Sequence, residues 1–192
     1  MTSVSEDSKT AAILKSAFQA FATYGFKKTS MDDIAKGAGM SRPAVYLHFK
    51  NKEAIVRELT QFYYGEKVTL VAEALASEGP LPQILAQAIE AQSSGMADIL
   101  ASPHGLEMLD ATKSMSTDIV QEGEAKLTRL YAEWLRREDA AGRAHLPVGP
   151  DEAAKTITTS LKGVKMTASS AEEFEQGILQ LAMLLGAALE VR

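Results

Sequence analysis

The sequence predicts an all-α protein of about nine helices, and three observations carry that reading. Apolar residues recur at helical spacing along most of the chain, and no stretch alternates convincingly with period two. The interruptions hold the Ser, Asn, Gly and Pro residues that start and stop helices. Composition is compatible: of 192 residues, 46% are hydrophobic and 23% charged, ordinary for a folded chain.

Each element has its own signal. Leu14, Ala17, Phe18 and Phe21 fall at i, i+3, i+4 and i+7, giving a first helix one apolar face. Gly25 follows where a left-handed C-cap is wanted. Ser30 opens a second helix, with Asp33 three residues on as a relative of the capping box. Gly37 and Gly39 keep that helix short. Ser41 caps a third, Pro43 is tolerated in its first turn, and it ends near Phe49. Asn51 caps a longer fourth helix, with Ile55, Leu59, Phe62 and Tyr63 on one stripe, reaching about Ala76.

The run Glu78-Gly79-Pro80-Leu81-Pro82 is a firm break. Helical pattern resumes over about 81–93, and Ser102-Pro103-His104-Gly105 breaks it again. A long helix is expected over about 116–141, with Leu127, Leu130, Tyr131, Trp134 and Leu135 at helical spacing. Residues 142–150 read as a loop with two prolines. Two last helices carry Ala154, Ile157, Leu161, Val164 and Ala168, then Phe174, Ile178, Leu181, Leu185 and Leu189. There is no internal repeat.

Charge divides the chain. The total is -5, yet residues 1–64 carry nine Lys/Arg against six Asp/Glu, a net of +3, and residues 65–192 carry eleven against nineteen, a net of -8. Within residues 25–52, six basic residues face two acidic ones. The basic part suits a polyanion, and the acidity of the rest discourages non-specific contact with one. The absence of cysteine excludes disulfides, thiolate metal sites and Cys nucleophiles. Three separated histidines, His48, His104 and His145, suggest no metal cluster, and no cofactor motif is present. MTSVSEDSK has no signal-peptide pattern, and no apolar run approaches the ~20 residues that cross a bilayer. The expectation is a cytoplasmic protein without a membrane partner.

Residues 29–52, TSMDDIAKGAGMSRPAVYLHFKNK, have the layout of a helix-turn-helix. Gly39 lets the chain reverse. Ile34, Ala35, Val45 and Phe49 would face inward, and small Ala35 allows close approach. The second helix would present Arg42, Pro43, Ala44, Tyr46, Leu47 and His48 outward, suited to a major groove. The stretch from about Lys9 to Arg57 resembles the DNA-binding domain of TetR-type transcriptional regulators. The resemblance lies in Ala17 through Phe21, Gly25-Phe26, Thr29-Ser30, Ile34-Ala35, Ala38-Gly39, Ser41, Val45-Tyr46, His48-Phe49 and Lys50-Asn51-Lys52-Glu53. It covers about a quarter of the chain.

This resemblance implies a DNA-binding domain over residues 1–52 and a ligand-binding and dimerisation domain over 53–192. It also implies a homodimer on a palindromic operator of double-stranded DNA, most often as a repressor, released or rearranged by a small effector. Tyr46 and His48 take positions that contact the sugar-phosphate backbone or nearby bases. Arg42, Pro43, Ala44 and Leu47 take positions facing base edges. Lys52 would meet a phosphate, Thr29 and Ser30 would add phosphate hydrogen bonds, and Lys28 and Lys50 would join the basic field. Asp32 departs from the pattern, as a carboxylate close to phosphates.

Met96, Ile99, Leu100, His104, Met108, Leu127, Tyr131 and Trp134 lie where the family builds its cavity, which would favour an apolar or aromatic effector. Ile157, Leu161, Val164, Phe174, Ile178, Leu181 and Leu185 would line the pairing face of the last two helices. Gly163, Gly177, Ala182, Gly186 and Ala187 would permit close approach there. Two other functions compete: a helical adaptor that binds protein and never DNA, and an enzyme built on His104, Glu107 and Asp110. The enzyme reading lacks a nucleophile-base arrangement or a phosphate loop, so no enzymatic activity is expected.

Overall fold

The structure is a computed structural model that describes residues 2–189, with side chains from Ser8 onward. Ten helices account for its regular structure: α1 (Thr2–Tyr24), α2 (Met31–Gly37), α3 (Arg42–His48), α4 (Lys52–Leu75), α5 (Leu81–Ser93), α6 (Met96–Ala101), α7 (Gly105–Met115), α8 (Thr117–Ala140), α9 (Pro150–Thr167) and α10 (Ala171–Ala188). The all-α expectation is met. The sequence-derived starts and stops of α2, α3, α5 and α9 agree with these bounds to within a residue or two.

The chain forms two compact units. The first comprises residues up to Tyr63 together with Ile99–Val120; the second comprises Tyr64–Asp98 and the remainder from Gln121. In the first, Ile13, Ala17, Phe21, Ile34, Val45 and Ile55 have no exposed surface. The Phe21 and Phe26 rings pack tilted, with centroids 5.3 Å apart. The buried face of α1 is set one position round from the stripe read in the sequence: Ile13 and Ala20 are inside and Phe18 is 37% exposed. A similar rotation on α4 buries Val56 and Thr60 and leaves Phe62 out. In both helices several apolar residues compete for the core, and packing against neighbours selects among them.

In the second unit, Val71, Leu85, Ala88, Ile89, Leu127, Tyr131, Trp134, Leu135, Ala154 and Leu161 form one apolar cluster. α10 packs along α5 and α9. One carboxylate lies inside this unit. Glu138 is fully buried and is compensated by Arg137 Nε at 3.0 Å and by an ion pair with Arg143. A buried charge is tolerable only with such partners. Arg137 also donates to the Leu75 carbonyl at 2.8 Å, tying α8 to the end of α4.

Candidate nucleic-acid interface

The helix-turn-helix is built by its caps. Ser30 Oγ accepts from Asp33 N–H, and Asp33 Oδ2 accepts in return from Ser30 N–H at 2.9 Å, a complete capping box at the start of α2. Ser41 Oγ accepts from Ala44 N–H at the start of α3, with Pro43 in the first turn. Between them Gly39 adopts φ +66°, the left-handed conformation that lets the chain turn back without strain. Ala35, 1% exposed, brings α2 close to α3, and Val45 and Phe49 are buried on α3's inner face.

The outer face of α3 is then free. Arg42, Pro43, Tyr46 and Leu47 are exposed, Leu47 at 87%, and Ala44 and His48 are half-buried. The Arg42 guanidinium lies 5.6 Å from the Tyr46 ring centre, so the two side chains stand together one turn apart. His48 Nδ1 is 3.3 Å from Thr10 Oγ1, which holds its ring toward α1. Lys27, Lys28 and Lys50 are exposed. Asp32 is turned onto Lys36 at 2.8 Å, an i, i+4 pair that offsets its charge.

Three residues expected to meet phosphates are engaged within the chain. Thr29 is 2% exposed, and its hydroxyl is shared between the carbonyls of Ala20 and Gly25 at 3.2 and 2.8 Å. Ser30 donates its hydroxyl to Asp33 at 2.6 Å. Lys52 Nζ donates to the carbonyls of Phe26 and Thr29, both at 2.6 Å, and lies 4.4 Å over the Phe26 ring. Lys52 thus staples the turn between α1 and α2. The cause is plain: that turn exposes carbonyls with no helical partner, and an ammonium satisfies two of them at once.

The turn is held from a further side, which the sequence did not reveal. Glu107 on α7 accepts from Lys27 N–H at 3.2 Å and lies 3.2 Å from His104 Nδ1. These contacts, the Lys27 amide first, lower its pKa from the ordinary carboxylate value. Gly25, at φ +85°, permits this approach: a Cβ there would sit 2.7 Å from Glu107 Oε2. Arg57, on α4, adds a bidentate pair with Asp118 at 2.8 and 2.7 Å and donates to the Met115 carbonyl. Among the described residues no group of three or more His, Cys, Asp or Glu could hold a metal ion. Among the described residues no helix is long and apolar enough to cross a membrane.

Residues 13–59 match the family model described as bacterial regulatory proteins, tetR family. That match covers about a quarter of the chain and contains its helix-turn-helix. An HTH-type transcriptional regulator of Bacillus subtilis, YerO, is 36% identical over 89 residues, 45% of this chain and 30% of that relative's length. The HTH-type transcriptional repressor Rv1474c of Mycobacterium tuberculosis is 26% identical over 185 residues, 90% of each chain. Among solved structures, SmeT, repressor of the Stenotrophomonas maltophilia multidrug efflux pump SmeDEF, has TM-score 0.72 at 19% identity over 95% of this chain and 90% of its own. A complex of SmeT with triclosan scores the same. The likeness to SmeT shows a shared fold over 95% of this chain.

The residues expected to line a cavity are divided between the two units. Met96, Leu127, Tyr131 and Trp134 belong to the second unit, while Ile99, Leu100, His104 and Met108 belong to the first. His104 precedes α7, donates its backbone N–H to the Ala22 carbonyl, and pairs its ring with Glu107. Asp110, the third member of the enzyme alternative, is exposed. Tyr131 and Trp134 are buried, and the Tyr131 hydroxyl and Trp134 Nε1 have no hydrogen-bond partner among the described residues.

On the last two helices the structure redistributes the expected pairing face. Ile157, Leu161 and Phe174 are buried within the chain, and Val164, Ile178, Leu181 and Leu185 are half-buried. The large apolar residues exposed on α9 and α10 are Met166, Leu179, Met183 and Leu184. Two glycines expected to admit a partner serve the chain's own packing instead. A Cβ on Gly177 would meet Val164 Cγ1 at 2.8 Å, and one on Gly186 would meet Pro82 Cβ at 3.1 Å. Ala182 is buried as well. Of that set Gly163 has open space at its Cβ position.

Proposed function

We propose that this protein is a ligand-responsive, DNA-binding transcriptional regulator, a repressor acting as a homodimer on a palindromic operator. The observation that carries the reading is α3. A doubly capped, seven-residue helix holds Arg42, Pro43, Tyr46 and Leu47 on its solvent face within a basic surround. Arg42 at the helix start can donate two hydrogen bonds to a guanine O6/N7 edge, and Pro43 and Ala44 offer apolar contact to a thymine methyl. Tyr46, Lys27, Lys28 and Lys50 supply backbone contacts that set register and affinity.

A second copy supplies the other half-site, since isologous pairing places two α3 helices about one DNA turn, or a multiple of it, apart. Met166, Leu179, Met183 and Leu184 support pairing through α9 and α10, because exposed apolar side chains on adjacent helices are costly unless covered. The effector is an apolar or aromatic small molecule. Tyr131 and Trp134 support this: each offers a buried polar atom on an apolar body, and unpaired buried groups cost about 1–3 kcal/mol until an acceptor or donor reaches them. The site of action is the cytoplasm, and no turnover accompanies binding.

The test is selection of bound duplexes from random sequence, followed by affinity measurement across salt concentration. Wild type is expected to select a palindrome and to weaken steeply with salt. Arg42→Ala is expected to weaken binding roughly 5–150-fold for each half-site, from about 1–3 kcal/mol of lost base discrimination there, and to relax the preference at one position of each half-site. If Arg42→Ala and Tyr46→Ala bind every selected duplex as tightly as wild type, the reading fails, and the protein-binding adaptor takes its place.

A further inference from the structure

The turn between α1 and α2 is the basic edge of the proposed interface, carrying Lys27 and Lys28 with both side chains exposed. Several of its backbone groups are committed to partners within the chain. The Gly25 carbonyl accepts from Thr29 N–H and Oγ1 at 3.2 and 2.8 Å. The Phe26 and Thr29 carbonyls accept from Lys52. Lys27 N–H is taken by Glu107 Oε1, 80 residues further along the chain.

Glu107 is therefore placed where a small shift moves two lysines. Its carboxylate lies against Gly25, where a Cβ would come within 2.7 Å of Oε2, and is oriented on the other side by His104 Nδ1. The His104 backbone in turn is anchored to the Ala22 carbonyl at the end of α1. We infer that Glu107 is a positioning residue for phosphate binding: by accepting the Lys27 amide it fixes the turn and aims the Lys27 and Lys28 ammonium groups at the DNA backbone. The inference rests on the DNA-binding reading above. A carboxylate is an unexpected choice beside a phosphate-binding edge, because its charge opposes the ligand. Its acceptor geometry, rather than its charge, is the property the turn uses.

That distinction sets the experiment. Glu107→Gln keeps a carbonyl oxygen for the Lys27 amide and removes the charge, whereas Glu107→Ala removes the acceptor. Affinity is measured against salt on the duplex selected by wild type, with thermal melts as a check on folding. Every lysine that no longer neutralises a phosphate makes the slope of log K against log salt shallower by roughly 0.9. Glu107→Ala is expected to flatten the slope by the equivalent of one to two lysines in each subunit of the dimer, and Glu107→Gln to match wild type. An unchanged slope in folded Glu107→Ala overturns the inference. So does an equal change in both variants, which would make charge the operative property.

Hydrogen exchange at the Lys27 amide of wild type tests the same clamp should Glu107→Ala fail to fold. Protection is expected, and exchange at the rate of a free amide overturns the inference. If wild type binds no duplex at all, the regulator reading falls, while the Lys27 amide still decides the clamp.

Discussion

Replacing Lys52 by methionine tests how the α1–α2 turn is built. The change keeps the apolar stem and removes the ammonium that donates to the Phe26 and Thr29 carbonyls at 2.6 Å and lies 4.4 Å over the Phe26 ring. A hydrogen bond to a charged group contributes about 1.5–3 kcal/mol. Lys52 is only half-buried, which puts each bond near the lower end of that range. The ring contact adds about 0.5–1 kcal/mol. The expected loss is about 3.5–4 kcal/mol, a fall in thermal midpoint of roughly 7–16 °C for a chain of this size. Circular dichroism melts measure it. The salt slope of DNA binding, measured below the new midpoint, is expected to stay at the wild-type value, because the turn keeps its Thr29 and Glu107 hydrogen bonds. A variant with an unchanged midpoint and a slope shallower by roughly 0.9 per subunit would make Lys52 a phosphate ligand after all and refute the staple.

Perturbations elsewhere in the fold have equally definite outcomes. Asp118 has its pKa lowered to about 2, chiefly by its hydrogen bonds from Arg57. A carboxylate with a depressed folded-state pKa stabilises the fold above its ordinary value of 3.8 and loses that contribution as pH falls toward about 2. Asp118→Asn is therefore expected to melt below wild type at neutral pH, with the gap closing between those two values; a gap that persists unchanged at pH 2 would exclude the ion pair as its source. On α10, Phe174→Ala should cost about 3–5 kcal/mol of stability as an intrachain core deletion. Leu184→Glu should instead shift sedimentation from two chains toward one, and a variant that still sediments as a pair would exclude the α9–α10 face as the contact.

Legibility in the sequence followed the range of the interactions. Ser30, Asp33, Ser41 and Pro43 act within three residues of themselves, so their caps could be read directly, and with them the limits of α2 and α3. Gly25 and Gly39 were equally legible, since a positive φ at the end of a helix is a local need. The destinations of Thr29 and Lys52 were not. Their acceptors lie up to 26 residues away, and nothing local distinguishes a lysine bound for a phosphate from one bound for a carbonyl. Glu107 is the extreme case, because its role depends on a partner 80 residues earlier. On α9 and α10 the apolar residues outnumber the places in one chain's core. Which of them turn inward is decided by α5 and by the close contact at Gly177, and periodicity alone cannot assign that.

The make-up of the first unit bears on the order in which the protein can mature during synthesis. Its helix-turn-helix is complete in sequence by Phe49, yet Glu107, Met115 and Asp118, which close it through Lys27 and Arg57, lie 58 to 80 residues beyond their partners. At about 5–20 residues per second, roughly 3–15 seconds of elongation separate the two events. During that interval the helix-turn-helix exists without its clamps, while α5 and the end of α4, elements of the other unit, are already being made. A nascent chain would hold α3 before it holds the turn that carries Lys27 and Lys28, so competence to grip DNA would arrive late, after the chain has passed Asp118.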